Sequence, residues 1–377
     1  MTTQMSVAQG EFTLRRLPLR SNDVLQAWDA ADEYLLNTLA EMTLPLHGSR
    51  VLLINDSFGA LAVALADFKP VSWSDSYLAQ QSMSMNLTAN GFAVDAVEWL
   101  DSVHTPDSSF DLILIKVPKT LALLEDFLLR LRPSLTTQTT IILAGMLKNL
   151  PPSVWTLLER IVGLTRSSLA KKKARLVFCD FDPNLQVSVN PYPTSYKLEH
   201  TEWVICNHSN VFSREQLDIG TRFFLAHLPE SAPAKTIVDL GCGNGILGIM
   251  AALKHPEATV TFVDESFMAL ASARQNFNTV FRGQRHAEFR IGDGLAEFEE
   301  ASVELILCNP PFHQQQAIGD HLALRMFKHA YKTLETDGEL WIIGNRHLGY
   351  SVSLKKIFGN SRLIAQNAKF VILQAKK

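Results

Sequence analysis

Four consecutive residues, Asn309-Pro310-Pro311-Phe312, stand directly after the apolar run VELILC. An exocyclic amine on a base, or an amide nitrogen, is a poor nucleophile because its lone pair is delocalised. Two acceptors aimed at its N–H groups orient that nitrogen and favour a pyramidal geometry. The Asn309 side-chain oxygen and the Pro310 carbonyl can serve as those acceptors. Two prolines fix φ and keep the turn rigid, so the contribution to rate is one of positioning. No strong base is required, since the amine becomes acidic as it is alkylated. Phe312 offers a ring face on which a planar substrate can stack. Asn309, Pro310 and Phe312 are therefore the candidate catalytic residues.

A second constellation lies upstream. Asp239-Leu240-Gly241-Cys242-Gly243-Asn244-Gly245 follows an apolar strand pattern and precedes the helical run ILGIMAAL. Glycines at such a position allow positive φ and let the backbone approach a ligand closely. A Gly-rich loop alone does not separate nucleotide sites from one another, since dinucleotide folds use a similar one. Here an acidic residue sits at the strand end, and the third glycine comes one position too early for GxGxxG. Asp264 ends the next strand, roughly 20 residues on, where a carboxylate can take both ribose hydroxyls. Asp293, in IGDG, follows the strand after that.

These residues need a scaffold, and the chain supplies one twice. Segments 51–65, 71–77, 110–119, 139–145 and 173–180 match segments 236–250, 260–266, 303–312, 339–345 and 368–375 in the same order. Gly59 falls opposite Gly245, Asp75 opposite Asp264 and Lys116 opposite Asn309. Five matches in one order indicate a duplicated fold. In the second half, 236–240, 259–263, 288–291, 303–308, 339–343 and 369–373 read as buried strands, with helices at 266–277 and 321–334. Strand–helix alternation implies an α/β fold with a mostly parallel sheet covered on both faces. The last two strands of each half are close in sequence, which predicts one antiparallel member. The Pro-, Asn- and Ser-rich stretch 185–200 divides the chain into domains 1–190 and 191–377. Before the second sheet, VFSREQ carries an S-x-x-Q capping box, followed by DIGTRFF as a second cap-and-helix pattern.

The first half lacks the equipment of the second. Its loop is Asn55-Asp56-Ser57-Phe58-Gly59, where Phe58 and the missing glycines would crowd a ligand. Lys116-Val117-Pro118-Lys119 replaces the catalytic turn. No cofactor is expected there, and the two lysines read either as solvated or as phosphate contacts.

Composition bounds the rest. The 377 residues are 47% hydrophobic and 19% charged, enough apolar material for two cores and too little charge for disorder. No apolar run reaches about 18 residues, so no membrane span is expected, and the first residues do not read as a signal peptide. A cytoplasmic location follows as an expectation. The four cysteines, Cys179, Cys206, Cys242 and Cys308, form no CxxC, so neither a disulfide framework nor a metal site is expected. A net charge of −3 means that any nucleic-acid contact is local. Lys171, Lys172, Lys173 and Arg175 form one basic run, and Arg346, Lys355 and Lys356 another.

DLGCGNG, VDES and NPPF, in this order, resemble the class I S-adenosylmethionine-dependent methyltransferases. The resemblance implies two tandem Rossmann-like domains of that class, the N-terminal one degenerate. It implies that Gly241, Gly243 and Gly245 line the methionine and ribose of S-adenosylmethionine, with Asp239 at the strand end and Asn309 at the methyl end. Asp264 would hold the ribose and Asp293 the adenine amine. Asp218, Gly220 and Thr221 would border the methionine end. Over nearly the whole chain, DAADEYLL, IKVPKTLALLE, HSNVFSREQLDIG, LCNPPFHQQ and GNRHLGY resemble the ribosomal RNA guanine-N2 methyltransferases, the large-subunit group more than the small-subunit one. That resemblance implies transfer of one methyl group to the N2 amine of a guanine in large-subunit (23S) ribosomal RNA, taken as free RNA by a monomer, with the first domain in RNA recognition. The motifs themselves leave adenine-N6 and glutamine-N5 chemistry open, and also a non-catalytic RNA-binding module. A carbon-5 pyrimidine methyltransferase is disfavoured, because Cys308 precedes Asn309 on the strand instead of following a proline.

Overall fold

The computed structural model describes residues 3–19, 25–42, 48–229, 234–311 and 316–377, with 316–320 as backbone. Contacts divide the chain into two compact units, Met1–Tyr192 and Pro193–Lys377.

The first unit opens with a hairpin of β1 (Gln4–Val7) and β2 (Gly10–Thr13). Its sheet contains β3 (Val51–Ile54), β4 (Val71–Ser74), β5 (Glu98–Asp101), β6 (Leu112–Lys116), β7 (Thr140–Met146), β8 (Thr165–Ser167) and β9 (Ala174–Cys179). The order across the sheet is β5-β4-β3-β6-β7-β9-β8. In β3, VLLI is buried on both faces, as are the first four residues of β6, LILI. Continuous aliphatic runs of this kind belong at the centre of a parallel sheet covered by helices.

The second unit opens with a hairpin of β10 (Thr194–Lys197) and β11 (Val204–Asn207). Its sheet contains β12 (Thr236–Leu240), β13 (Thr259–Asp264), β14 (Glu288–Ile291), β15 (Val303–Cys308), β16 (Leu334–Asn345), β17 (Arg362–Gln366) and β18 (Phe370–Lys376). The order is β14-β13-β12-β15-β16-β18-β17, the same permutation as in the first unit. β18 runs antiparallel to both its neighbours, as β9 does in the first unit. The strand order reverses between β12 and β15, which leaves a crevice at their carboxyl ends, where ligands bind in open α/β sheets.

Within the stretch 185–200, β10 pairs with β11 from Thr194 to Lys197, and its four residues are too few for a clear alternation among prolines. Two local expectations are corrected. The proposed capping box at VFSREQ does not form. Ser213 takes a left-handed φ of 53° and its hydroxyl donates to the Gln216 carbonyl at 2.8 Å, closing a turn. The helix begins later, at Ile219–Leu225, capped by Asp218. In the first unit, Lys116 is neither solvated nor free for phosphate. Its ammonium pairs with Asp29 at 2.9 Å and Asp32 at 2.8 Å, and its side chain is 13% exposed.

Candidate active site

The glycine loop leaves β12 and turns into the helix Ile246–Lys254. Gly243 has φ 54°, and a Cβ built there would meet nothing within 4 Å, so its open side faces free space. Gly245 caps the helix at φ 82°, where a Cβ would lie 2.8 Å from that of Ala273. One glycine thus keeps a cradle open and the other lets two helices close. Gly241 also takes positive φ. The loop is pinned to the next strand: the Gly241 and Cys242 amides donate to the Val263 carbonyl at 2.8 and 3.0 Å.

Asp264 accepts from the Gly243 amide at 2.9 Å and from the Ser266 amide at 3.0 Å. Its carboxylate therefore stands at the lip of the cradle with its orientation set by backbone. Asp239 is fully buried. One carboxylate oxygen accepts from the Gly248 amide at 2.8 Å, and the other has no partner among the described residues. Burial, with Asp264 nearby, pushes its carboxyl up to about 8. An unpaired buried oxygen is costly unless something else satisfies it.

Asp293 follows β14, and the Gly292 amide donates to the Asp264 carbonyl at 3.0 Å, which ties the two loops together. Both Asp293 oxygens are engaged by Arg325. Sequence reasoning missed Arg325. It sits in a helical pattern of ordinary charge content, and nothing marks it before the fold brings it to the loop after β14.

Asn309 follows β15 directly. Its amide nitrogen donates to the Thr221 hydroxyl at 3.0 Å, and its Oδ1 is buried with no partner among the described residues. Pro310 is buried and Pro311 exposed. Phe312 lies outside the described residues. Cys242 and Cys308 are both buried, and burial pushes both thiols well up, so neither is a nucleophile at neutral pH.

A second group of residues escaped the sequence reading. The Asn244 amide donates to Asn207 at 2.9 Å and to the Tyr196 hydroxyl at 3.2 Å. Asn276 donates to the Asn244 carbonyl at 2.9 Å and accepts from the Cys206 amide at 2.7 Å. The β10–β11 hairpin is thereby stitched to the back of the glycine loop. The asparagine of DLGCGNG was the available signal for this contact.

The donor set fits S-adenosylmethionine: an open glycine cradle, a carboxylate at its lip, and two unpaired buried oxygens at adjacent strand ends. Fold and loop define a class I S-adenosylmethionine-dependent methyltransferase with a second, degenerate copy of the domain before it.

Two family models match separate parts of the chain. Residues 2–183 match the RLMG N-terminal domain, and residues 202–374 match the methyltransferase small domain. A ribosomal RNA large subunit methyltransferase G from Ectopseudomonas mendocina is 51% identical over 366 residues, covering 97% of each chain. One from Streptomyces avermitilis is 48% identical over 382 residues, covering 100% of each. A T. thermophilus 16S rRNA N2 methyltransferase, solved with AdoMet and guanosine, superposes with a TM-score of 0.75 at 19% identity, covering 99% of this chain and 97% of its own. The chain belongs to the ribosomal RNA large subunit methyltransferase G family.

Proposed function

We propose that this chain transfers a methyl group from S-adenosylmethionine to the exocyclic N2 amine of one guanine in large-subunit (23S) ribosomal RNA. The observation that carries the reading is Asn309 Oδ1, a buried and unpaired acceptor at the carboxyl end of β15. The names of the relatives point to the large-subunit RNA, and the structure superposed at 19% identity is that of an N2 methyltransferase held with guanosine.

S-adenosylmethionine, when bound, supplies an electrophilic methyl group on a sulfonium. Gly241, Gly243 and Gly245 would receive its methionine and ribose, and Asp264 would accept from the ribose hydroxyls. Asp293, held by Arg325, would accept from the adenine amine. Asp239 would act from beneath the loop through its unpaired oxygen. Asn309 Oδ1 and the Pro310 carbonyl would take the two N–H groups of the target amine and turn its lone pair outward. Phe312 would stack on the base. The proton lost on alkylation passes to solvent, so no dedicated base is needed.

Recognition of the RNA would be shared. In the second unit, Arg346, His347 and Lys369 line one cleft with Asn345 and Ala368. Ile342 pairs with Cys308 across the sheet. That pair is the last between β15 and β16, so Asn345, three residues further along β16, stands at the same end of the sheet as the turn that follows Cys308. Three exposed nitrogen-bearing side chains at the catalytic end of the sheet fit the phosphates flanking a target nucleotide. We assign the first unit, residues 1–190 in the sequence division, to RNA recognition without cofactor, through the exposed basic tip of its β8–β9 hairpin. The substrate is free RNA, because an amine in a duplex must first be unstacked, and the enzyme works as a cytoplasmic monomer. Among the described residues no helix is long and apolar enough to cross a membrane, and no cluster could hold a metal.

Tritium transfer from labelled S-adenosylmethionine into ribosomal RNA from a strain lacking this protein tests the reading. Label is expected as N2-methylguanosine in the large RNA. Label in N6-methyladenosine, or in a protein fraction, would move the chemistry to adenine or glutamine. Absence of both label and cofactor binding would leave an RNA-binding module.

A further inference from the structure

Asn309 can accept from the target amine only if its oxygen, not its nitrogen, faces the substrate. Nothing intrinsic to asparagine decides this, since the two ends of the amide are nearly isosteric. The deciding contacts come from the helix Ile219–Leu225. Asp218 caps that helix: its Oδ2 accepts from the Thr221 amide at 2.8 Å and from the Thr221 hydroxyl at 3.3 Å. The single hydroxyl proton of Thr221 is thus directed to a carboxylate, a stronger acceptor than a neutral amide oxygen. Only lone pairs of that hydroxyl remain, and they demand a donor. Asn309 meets the demand with Nδ2 at 3.0 Å, and Oδ1 is left turned away and unpaired. Gly220 keeps the arrangement compact, because a Cβ there would come within 2.9 Å of Asp218 Oδ2.

We infer that Asp218 and Thr221 are positioning residues for the transfer: the chain carboxylate–hydroxyl–amide fixes the Asn309 flip and presents Oδ1 to the substrate amine. This deepens the role given to Thr221, which the resemblance placed beside the methionine of the cofactor, and it rests on the proposed role of Asn309. The reversed amide would present two N–H donors to an amine that also carries N–H groups, and would repel the substrate it should align. Displacement or disorder of an aligning group costs about a hundredfold in rate.

The test compares Thr221→Val, Thr221→Ser, Asn309→Ala and the double variant Thr221→Val/Asn309→Ala in the full chain. Thr221→Val is close to isosteric and keeps the backbone cap, so folding is checked by melting and by S-adenosylmethionine binding. The expected result is kcat lowered about a hundredfold in Thr221→Val, with unchanged cofactor Kd. Thr221→Ser, which keeps the hydroxyl, should restore most of the rate. The double variant should be no slower than Asn309→Ala, because the hydroxyl acts only through that amide. A Thr221→Val enzyme with normal kcat and weakened cofactor binding would overturn the positioning role in favour of a cofactor contact. So would effects that multiply in the double variant, or a serine variant as slow as the valine one. Full activity in Asn309→Ala would instead remove the catalytic turn itself, an outcome separate from failure of the relay.

Discussion

Asn309 and Asp239 each carry an unpaired buried oxygen at the site, and of the two only Asp239 titrates. On the proposed role, Asn309→Ala removes a neutral acceptor that aligns the substrate amine. Cofactor Kd should stay near the parent value while kcat falls by about two to three orders of magnitude, the usual cost of losing one aligned polar group. Equilibrium binding beside single-turnover rates separates the two quantities. Asp239 behaves differently because its carboxyl is pushed up to about 8 by burial. The folded protein therefore holds a proton that the unfolded chain releases near pH 4. Stability drawn from this group is present at low pH and is lost as pH rises toward 8. Asp239→Asn mimics the protonated form at all pH values. The melting-temperature difference, parent minus Asp239→Asn, should fall from pH 5 to pH 8 and level off above it. A difference that stays flat across that range would mean that the carboxyl titrates elsewhere. At this scale the glycines, Asp239, Asp264 and Asn309 were legible because each is tied to a motif of fixed spacing. Thr221 was legible as a neighbour of the site but not as the partner of Asn309. Arg325 was not legible at all, since its pairing with Asp293 joins residues 32 apart in sequence through the tertiary fold.

Elements set the reach of these side chains. The limits of β12, β14 and β15 could be read directly, because each is an apolar run ended by a polar motif. β16 begins earlier than its apolar core suggests, at Leu334, and β17, RLIAQ, is an edge strand with no buried residues. Its exposure removes the contrast by which a strand is recognised in a sequence. The β10–β11 hairpin was hidden for a related reason: its apolar anchoring is sparse, centred on Ile205, and the rest of its attachment is polar stitching through Asn207, Asn244 and Asn276. The rim formed after β16 bears on function. Changing Arg346 and Lys369 together to Glu should weaken RNA binding and flatten its salt dependence by about 0.7 in log–log slope for each phosphate no longer neutralised. Cofactor Kd should be untouched. Filter binding across a salt series checks this, and an unaltered slope would place the RNA elsewhere on the unit.

The duplication governs the whole molecule. Both sheets use one strand order, and Gly59 and Gly245 cap corresponding helices at φ 80° and 82°. The fold has been kept twice while the site has been kept once. In the first unit the place of Asn309 is taken by Lys116, which pairs with Asp29 and Asp32 at one wall of a cavity. Burial alone would lower the Lys116 ammonium, yet Asp32 and Asp29 hold it above its ordinary value. Asp32 is itself pushed up to about 6 by burial, against the pull of Lys116. Asp75, the counterpart of Asp264, is buried and accepts from Ser102 at 2.5 Å. Positions that correspond to site residues of the second unit here hold buried polar contacts, and breaking a buried ion pair by removing one partner destabilises a fold strongly. The loss of glycines and of the asparagine was visible in the sequence; the ion cluster was not, because Asp29 and Asp32 lie more than 80 residues from Lys116. Lys116→Met should therefore cost the first unit roughly 3–5 kcal/mol by leaving Asp32 and Asp56 uncompensated. Calorimetry would register this as an earlier transition, accompanied by faster proteolysis within Met1–Tyr192. S-adenosylmethionine affinity should be unchanged at temperatures below that transition, since every residue assigned to the cofactor belongs to the second unit. If the first unit recognises RNA, transfer at those temperatures should persist, and warming through the transition should raise the KM for RNA before cofactor binding is lost. A variant that melts like the parent would show that the ion cluster contributes little. Simultaneous loss of cofactor binding and first-unit structure would show that the two copies fold as one cooperative body.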